Sequence, residues 1–204
     1  MNVIFLDFDG VLDTYNDAID ELFYGVPKEV IRKRIERRIA ILADICREYD
    51  CKVVIEAAAK SNIDDETLEI IEPSERLEFY FSMFKKYGIE VMGKTPDVEI
   101  KETRESSTLI HSMNKQIEIM LYLYRHPEID YFCVIDDDDE ASIYHRKSDL
   151  EKVKNHLVRT LDFQDNPDEE GLLERHKELV GRALQEENEV KKLIKRRNRL
   201  YGKN

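Results

Sequence analysis

Two carboxylates one residue apart and followed by glycine, Asp7-Phe8-Asp9-Gly10, and a run of four acids, Asp136-Asp137-Asp138-Asp139, are the residues whose types and spacing invite chemistry. Each group sits at the end of a short apolar run, at 3 to 8 and at 131 to 135, that reads as a buried strand. A fully buried strand has no wet face to explain a carboxylate, and a buried carboxylate must be paired or bound to a cation. Taken singly, the first group fits a strand-ending turn and the second a solvated loop. Brought to one edge of one sheet, the two would repel each other and need a counterion, and hard oxygen donors suit Mg2+. A Ca2+ loop fits less well, because the EF-hand spacing and its distant glutamate are absent.

The elements that must position these acids follow from periodicity. Residues 28 to 49 predict a long helix, with Val30, Ile31, Ile35, Ile39, Leu42, Ile45 and Cys46 on one stripe and Pro27 at a position a helix start tolerates. Residues 52 to 55, with β-branched Val53, Val54 and Ile55, predict a second strand. A polar stretch over 60 to 72 leaves room for one helical turn. Pro73-Ser74-Glu75 then opens a helix that runs to about Tyr87 and that Gly88 closes. A third strand is expected at 89 to 92, an extended loop able to fold over a site at 93 to 110, and a helix at 112 to 124 ended by His126-Pro127. A weaker fifth strand at 156 to 161 and a helical region at 168 to 200, broken near Gly181, complete the pattern. Strands alternating with helices imply an α/β fold: a Rossmann-like, doubly wound, mostly parallel five-stranded sheet flanked by helices, with no large cap domain. Such sheets bind ligands outside the carboxyl ends of their strands, where both acidic groups lie.

At 204 residues with 42% apolar content, a single domain is expected over 1–185, followed by a basic C-terminal helical tail over 186–204. The tail carries Lys191, Lys192, Lys195, Arg196, Arg197, Arg199 and Lys203 after Glu186, Glu187 and Glu189, an order that suits the helix dipole and reads as a solvated helix end. The start of the chain has no basic region before its apolar run and no segment is long enough to span a bilayer, so a soluble, cytoplasmic protein without a membrane partner is expected. Cys46, Cys51 and Cys133 lack metal spacing and read as small buried thiols. A net charge of −12 argues against broad, sequence-independent binding to nucleic acid. Oligomeric state has no signature in the sequence.

The residues around the two acidic groups resemble a known family. Val3-Ile4-Phe5-Leu6-Asp7-Phe8-Asp9-Gly10-Val11-Leu12-Asp13 is similar to the first motif of the haloacid dehalogenase-like (HAD) superfamily, and Phe132-Cys133-Val134-Ile135-Asp136-Asp137 to its fourth. The stretches Gly93-Lys94-Thr95-Pro96, Lys115-Gln116-Ile117-Glu118-Ile119, Tyr122-Leu123, Pro127-Glu128-Ile129 and Gly171-Leu172 fall in the order and spacing of one branch, the HAD domain of Swiss Army Knife RNA repair proteins. The resemblance covers roughly residues 1 to 185.

It implies that Asp7 is a nucleophile forming an aspartyl-phosphate, and that Asp9 is a general acid and then a general base. It also implies that Lys115 holds the phosphoryl group and the nucleophile, and that Mg2+ is held by Asp7, the Asp9 carbonyl, Asp136 and Asp137. Gly10 and residues 56 and 57 would contact substrate. At the second motif the sequence departs from the family. Where a Ser or Thr hydroxyl should follow Val53-Val54-Ile55, the chain has Glu56-Ala57-Ala58-Ala59-Lys60. A carboxylate there repels phosphate unless it pairs with a base such as Lys60 or holds a proton. The expected function is a Mg2+-dependent phosphomonoesterase acting on a small phosphorylated substrate or a nucleic-acid end, with the turn at 10–14 and residues 15 to 26 as a lid. The rival is a non-catalytic metal-binding or interaction domain. A receiver domain fits poorly, because its acceptor position carries Glu56.

Overall fold

The computed structural model describes residues 1–104, 107–112, 115–137, 153–161 and 166–200, with only the backbone described for 99–112 and 167. The first strand, β1 (Asn2–Leu6), is central in a five-stranded sheet of order β3-β2-β1-β6-β7, with β2 at Cys51–Ile55, β3 at Val91–Lys94, β6 at Tyr131–Asp136 and β7 at Leu157–Arg159. All pairs in it are parallel. The expected α/β architecture is therefore present, with β1 between β2 and β6.

Alternation along each strand feeds two cores. Ile4, Leu6, Val53, Ile55, Cys133 and Ile135 face one side, where helices α2 (Lys28–Tyr49), α3 (Glu75–Tyr87) and α5 (His176–Ala183) pack. Val3, Phe5, Val54, Phe132 and Val134 face the other, covered by α4 (Lys115–Arg125) and α6 (Glu189–Leu200). Val190 of the basic C-terminal helix is buried in this second core with Ile194 packed against it, so α6 docks on α4. Cys46, Cys51 and Cys133 are free and buried, as small core side chains. Among the described residues no helix is long and apolar enough to cross a membrane.

Several local expectations change. Two segments, β4 (Glu99–Arg104) and β5 (Ser107–Ser112), form an antiparallel pair where an extended loop was expected. Their Ser, Thr and charged residues hid the strands, but six paired positions bond the two backbones to each other. Residues 15 to 22 form helix α1 (Tyr15–Leu22), started by a capping box in which Thr14 and Asp17 bond each other's backbone. The segment expected as a lid is thus a helix pinned against α2. Gly181 lies inside α5 and is not the break, which falls between Ala183 and Glu189. A Cβ at Gly181 would come within 2.6 Å of the Tyr49 hydroxyl, so a close approach explains the glycine. Asp138 and Asp139 lie outside the described residues.

A buried ion pair fixes α1 and the turn before it. Asp17 and Arg38 are both almost wholly buried and bonded to each other, and Arg38 Nη1 also donates to the Leu12 carbonyl at 3.0 Å. Removing one partner strands the other charge in the core. Asp17→Ala is therefore expected to lower unfolding free energy by about 3 kcal/mol in urea titration, and a second change, Arg38→Met, to recover much of it. A loss well under about 1 kcal/mol, the scale of an exposed pair, would show that the pair is solvated.

Candidate active site

Strand register assembles the site. Leu6 is level with Ile55 of β2 and with Ile135 of β6. The next residue on each chain is therefore Asp7, Glu56 or Asp136, three acids side by side. The ladder continues through them: Asp7 N–H donates to the Ile135 carbonyl at 3.0 Å and Glu56 N–H to the Leu6 carbonyl at 2.8 Å. By strand alternation all three point to the face of Phe5, Val54 and Val134, the face that α4 covers.

The first residue of α4 meets them. Lys115 Nζ donates to Asp7 Oδ2 at 2.6 Å and to Asp136 Oδ2 at 2.8 Å, with all three side chains buried. Burial works against the ammonium, but Asp7 and Asp136 outweigh it and hold the Lys115 pKa above the ordinary lysine value. Burial pushes the Asp7 carboxyl up to about 7, with Lys115 opposing and Asp136 adding. Asp7 Oδ1 accepts the Phe8 N–H at 2.7 Å.

Asp137, half-buried, completes the acidic cluster. Asp7, Asp136 and Asp137 each offer a carboxylate oxygen, all within 4.8 Å of one another. This spacing and the purely oxygen donor set fit a small hard divalent cation. Gly10 makes room for the cluster: its φ is +68°, and a Cβ there would overlap the Asp137 carboxyl carbon at 2.1 Å. The Gly10 carbonyl accepts the hydroxyl of buried Thr160 at 2.9 Å, while Thr160 N–H donates to the Asp136 carbonyl at 3.0 Å. Thr160 thus ties the first acidic turn to the second.

Glu56 is wholly buried, and neither carboxyl oxygen has a hydrogen-bond partner among the described residues. Lys60 Nζ stands 3.6 Å from Oε1, near enough to attract but too far to bond. That ammonium is committed elsewhere, to Glu118 and, at 3.0 Å, to the Thr95 hydroxyl. Burial pushes the Glu56 carboxyl well above the usual carboxylate range, with Lys115 and Lys60 only partly opposing. That shift favours the protonated, uncharged form over the repelling carboxylate. Ala57 is buried beside it and opens the short 3-10 turn at Ala58–Asn62.

Asp9 stands apart from the buried layer. Its carboxylate is 60% exposed and bonded to Arg76 at the start of α3. Arg76 Nη2 also donates to Asp13 Oδ1 at 2.7 Å, and its Nε to the Tyr80 hydroxyl at 2.8 Å. Burial raises the Asp13 carboxyl to about 6, against the pull of Arg76.

Comparison with protein families matches residues 3–164 to the HAD domain in Swiss Army Knife RNA repair proteins. The chain belongs to this family. Comparison with curated proteins and with solved structures gave no match. Membership points to a hydrolase of the HAD type.

The structure thus brings Asp7, Lys115, Asp136, Asp137 and Gly10 to one edge, places Glu56 and Ala57 level with them but sealed, and leaves the Asp9 side chain at the surface. Sequence reasoning missed Thr160, Glu118 and Arg76. Thr160 and Glu118 carry no local signal. Arg76 does: a cation in the first turn of a helix opposes the dipole and asks for a reason.

Because Asp7, Asp13 and Glu56 all have folded pKa values raised above their unfolded ones, the native state holds extra protons between about pH 4 and 7. Their linkage makes stability greatest below the unfolded pKa and progressively lost as pH rises through that window. The metal-free protein is expected to melt at a lower temperature at pH 8 than at pH 5. Mg2+ should raise the melting temperature at pH 8 more than at pH 5, because a deprotonated Asp7 binds it better. Differential scanning fluorimetry with and without Mg2+ checks both signs.

Proposed function

We propose that the protein is a Mg2+-dependent phosphomonoesterase working through an aspartyl-phosphate on Asp7. The observation that carries this reading is the Lys115 ammonium held between the carboxylates of Asp7 and Asp136. It leaves a nucleophile neutralised and oriented beside a set of oxygen donors.

The Asp7 carboxylate would attack phosphorus in line, making an acyl phosphate as the ester oxygen departs. The exposed Asp9 carboxyl would give its proton to that oxygen, then take a proton from the water that attacks the acyl phosphate. Phosphate leaves and Asp7 is regenerated. Lys115 opposes the protonation that burial favours on Asp7 and offers its charge to the phosphoryl oxygens. Asp7, the Asp9 carbonyl, Asp136 and Asp137 would hold Mg2+, which when bound supplies positive charge against the phosphoryl oxygens. A protonated Glu56 makes the altered second motif compatible with phosphate, since a neutral acid does not repel a dianion.

The substrate class is a small phosphate monoester, with nucleotides and polynucleotide ends included. The family's description as part of RNA repair proteins supports an end-processing role, and the net charge of −12 favours a short ester or chain end over extended RNA. A second reading, a metal-binding domain without turnover, is favoured by Glu56 in place of a hydroxyl.

Asp7→Asn is expected to abolish Mg2+-dependent hydrolysis of nucleoside monophosphates, 3′-phosphorylated oligonucleotides and aryl phosphates. Asp9→Asn should lower kcat by about 10²-fold or more. Glu56→Thr, which restores a hydroxyl, should raise turnover without changing Mg2+ dependence. Equal, negligible rates in wild type, Glu56→Thr and Glu56→Thr/Asp7→Asn across the whole panel would favour the domain without turnover.

A further inference from the structure

We propose that Arg76 is the positioning residue for Asp9, holding its carboxyl group where that group, when protonated, can pass its proton to the leaving oxygen. The inference rests on the phosphomonoesterase reading above.

Asp9 needs such a residue. The other groups of the site are fixed by strand register and burial, whereas the Asp9 side chain stands in solvent beyond the end of β1. Arg76 is the one side chain among the described residues that hydrogen-bonds it. An acid left to rotate freely spends little time at the reacting oxygen, and proton transfer demands hydrogen-bond reach.

Arg76 is itself held from three sides. Its Nε donates to the hydroxyl of Tyr80 at 2.8 Å, one helical turn further along α3. Tyr80 is fully buried and packs edge-on against Phe8, the residue between the two acids of the first motif, with ring centroids 4.9 Å apart. The Arg76 guanidinium carbon lies 5.5 Å from the centre of the Tyr80 ring, and its Nη2 also donates to Asp13, 2.7 Å away. The chain from Phe8 through Tyr80 and Arg76 to Asp9 therefore carries the rigidity of the core to an exposed carboxylate. The planar fork suits this task, since one guanidinium serves two carboxylates and a phenol at fixed angles.

Neither the start of the helix nor the contact with Asp9 gains much stability from Arg76, whose more buried carboxylate partner is Asp13. Ser74 caps α3 and Glu75 follows it, so Arg76 sits in the first turn, where the helix dipole favours acids. A partly exposed pair such as Arg76 with Asp9 adds little to folding.

The test separates positioning from support by varying the leaving group. With Mg2+ present, kcat/KM reports steps up to departure of the alcohol, so it feels the acid strongly for a poor leaving group and weakly for a good one. Arg76→Ala is expected to lower kcat/KM about 10²-fold for a nucleoside monophosphate and about tenfold or less for p-nitrophenyl phosphate. Arg76→Lys should keep part of the difference, guanidinium ion should rescue Arg76→Ala, and Arg76→Ala should add almost nothing on the Asp9→Asn background. Equal losses on both esters, or additive losses with Asp9→Asn, would overturn the assignment while leaving the phosphomonoesterase reading standing. Absence of any Asp7-dependent hydrolysis by the wild-type protein would remove that reading and this one with it. Arg76→Lys and Arg76→Gln truncate the side chain far less than alanine does, so the comparison survives if the alanine variant folds poorly.

Discussion

The ammonium of Lys115 between the carboxylates of Asp7 and Asp136 is the contact on which the rest of the site depends. It exists because two parallel pairings are in register: Leu6 against Ile55 and Leu6 against Ile135. A slip of one residue in either pairing would turn an acid to the opposite face, toward α2 and α3, and would turn a core residue toward α4. The apolar runs preceding the acids forbid that slip, since every residue from Val3 to Leu6 is buried against one core or the other. Hydrophobic packing of β1, β2 and β6 therefore sets the distance between Asp7, Glu56 and Asp136, and α4 needs only to begin at the right height.

Charge balance explains the second layer. Asp7, Asp136, Glu56 and Glu118 are all buried, facing two buried cations, Lys115 and Lys60. Four ionised acids against two lysines would leave an excess of two negative charges in a dry place, before counting Asp137. Two routes relieve it, and the chain is suited to both. Burial of Glu56, the acid without a hydrogen bond, favours its protonated form. The oxygens of Asp7, Asp136 and Asp137 lie close enough to share a divalent cation. Lys60 meanwhile neutralises Glu118, whose other oxygen accepts the Val98 N–H at 2.9 Å, tying the approach to β4 onto α4.

What could be read from the sequence was what depends on short-range pattern. The runs at 3 to 8, 51 to 55 and 131 to 135 and the 22-residue helix α2 declare themselves by periodicity and capping, and the acids follow from strands that cannot otherwise explain them. The antiparallel pair β4 and β5 escaped because strands rich in Ser, Thr and charged residues lack the apolar alternation that marks a strand. Helix α1 escaped because its first turn is polar and its anchor, Arg38, lies 21 residues away on α2. Thr160 and Glu118 escaped for the same reason: their partners are distant in sequence, and an isolated Thr or Glu looks the same whether it bonds water or the floor of a site. Arg76 was legible in principle, as a cation where the helix dipole disfavours one.

The inner cluster also bears on the choice between an enzyme and a domain without turnover. Buried ion pairs seldom stabilise more than well-packed apolar residues of the same volume, because desolvation consumes most of the attraction. Asp7, Lys115 and Asp136 sit at the edge of a core already made of Val3, Phe5, Val54, Ile119 and Val134, where three more apolar side chains would fold as well. A domain kept only for its shape would gain by making that exchange. A metal-binding domain would gain by losing Lys115, whose positive charge competes with the cation for the same two carboxylates. The lysine is useful when a third, negatively charged party enters, because its ammonium can turn its hydrogen bonds to a phosphoryl group, while Asp7 and Asp136 would be left to hold a cation. The presence of Lys115 among the acids therefore favours phosphoryl chemistry over metal storage.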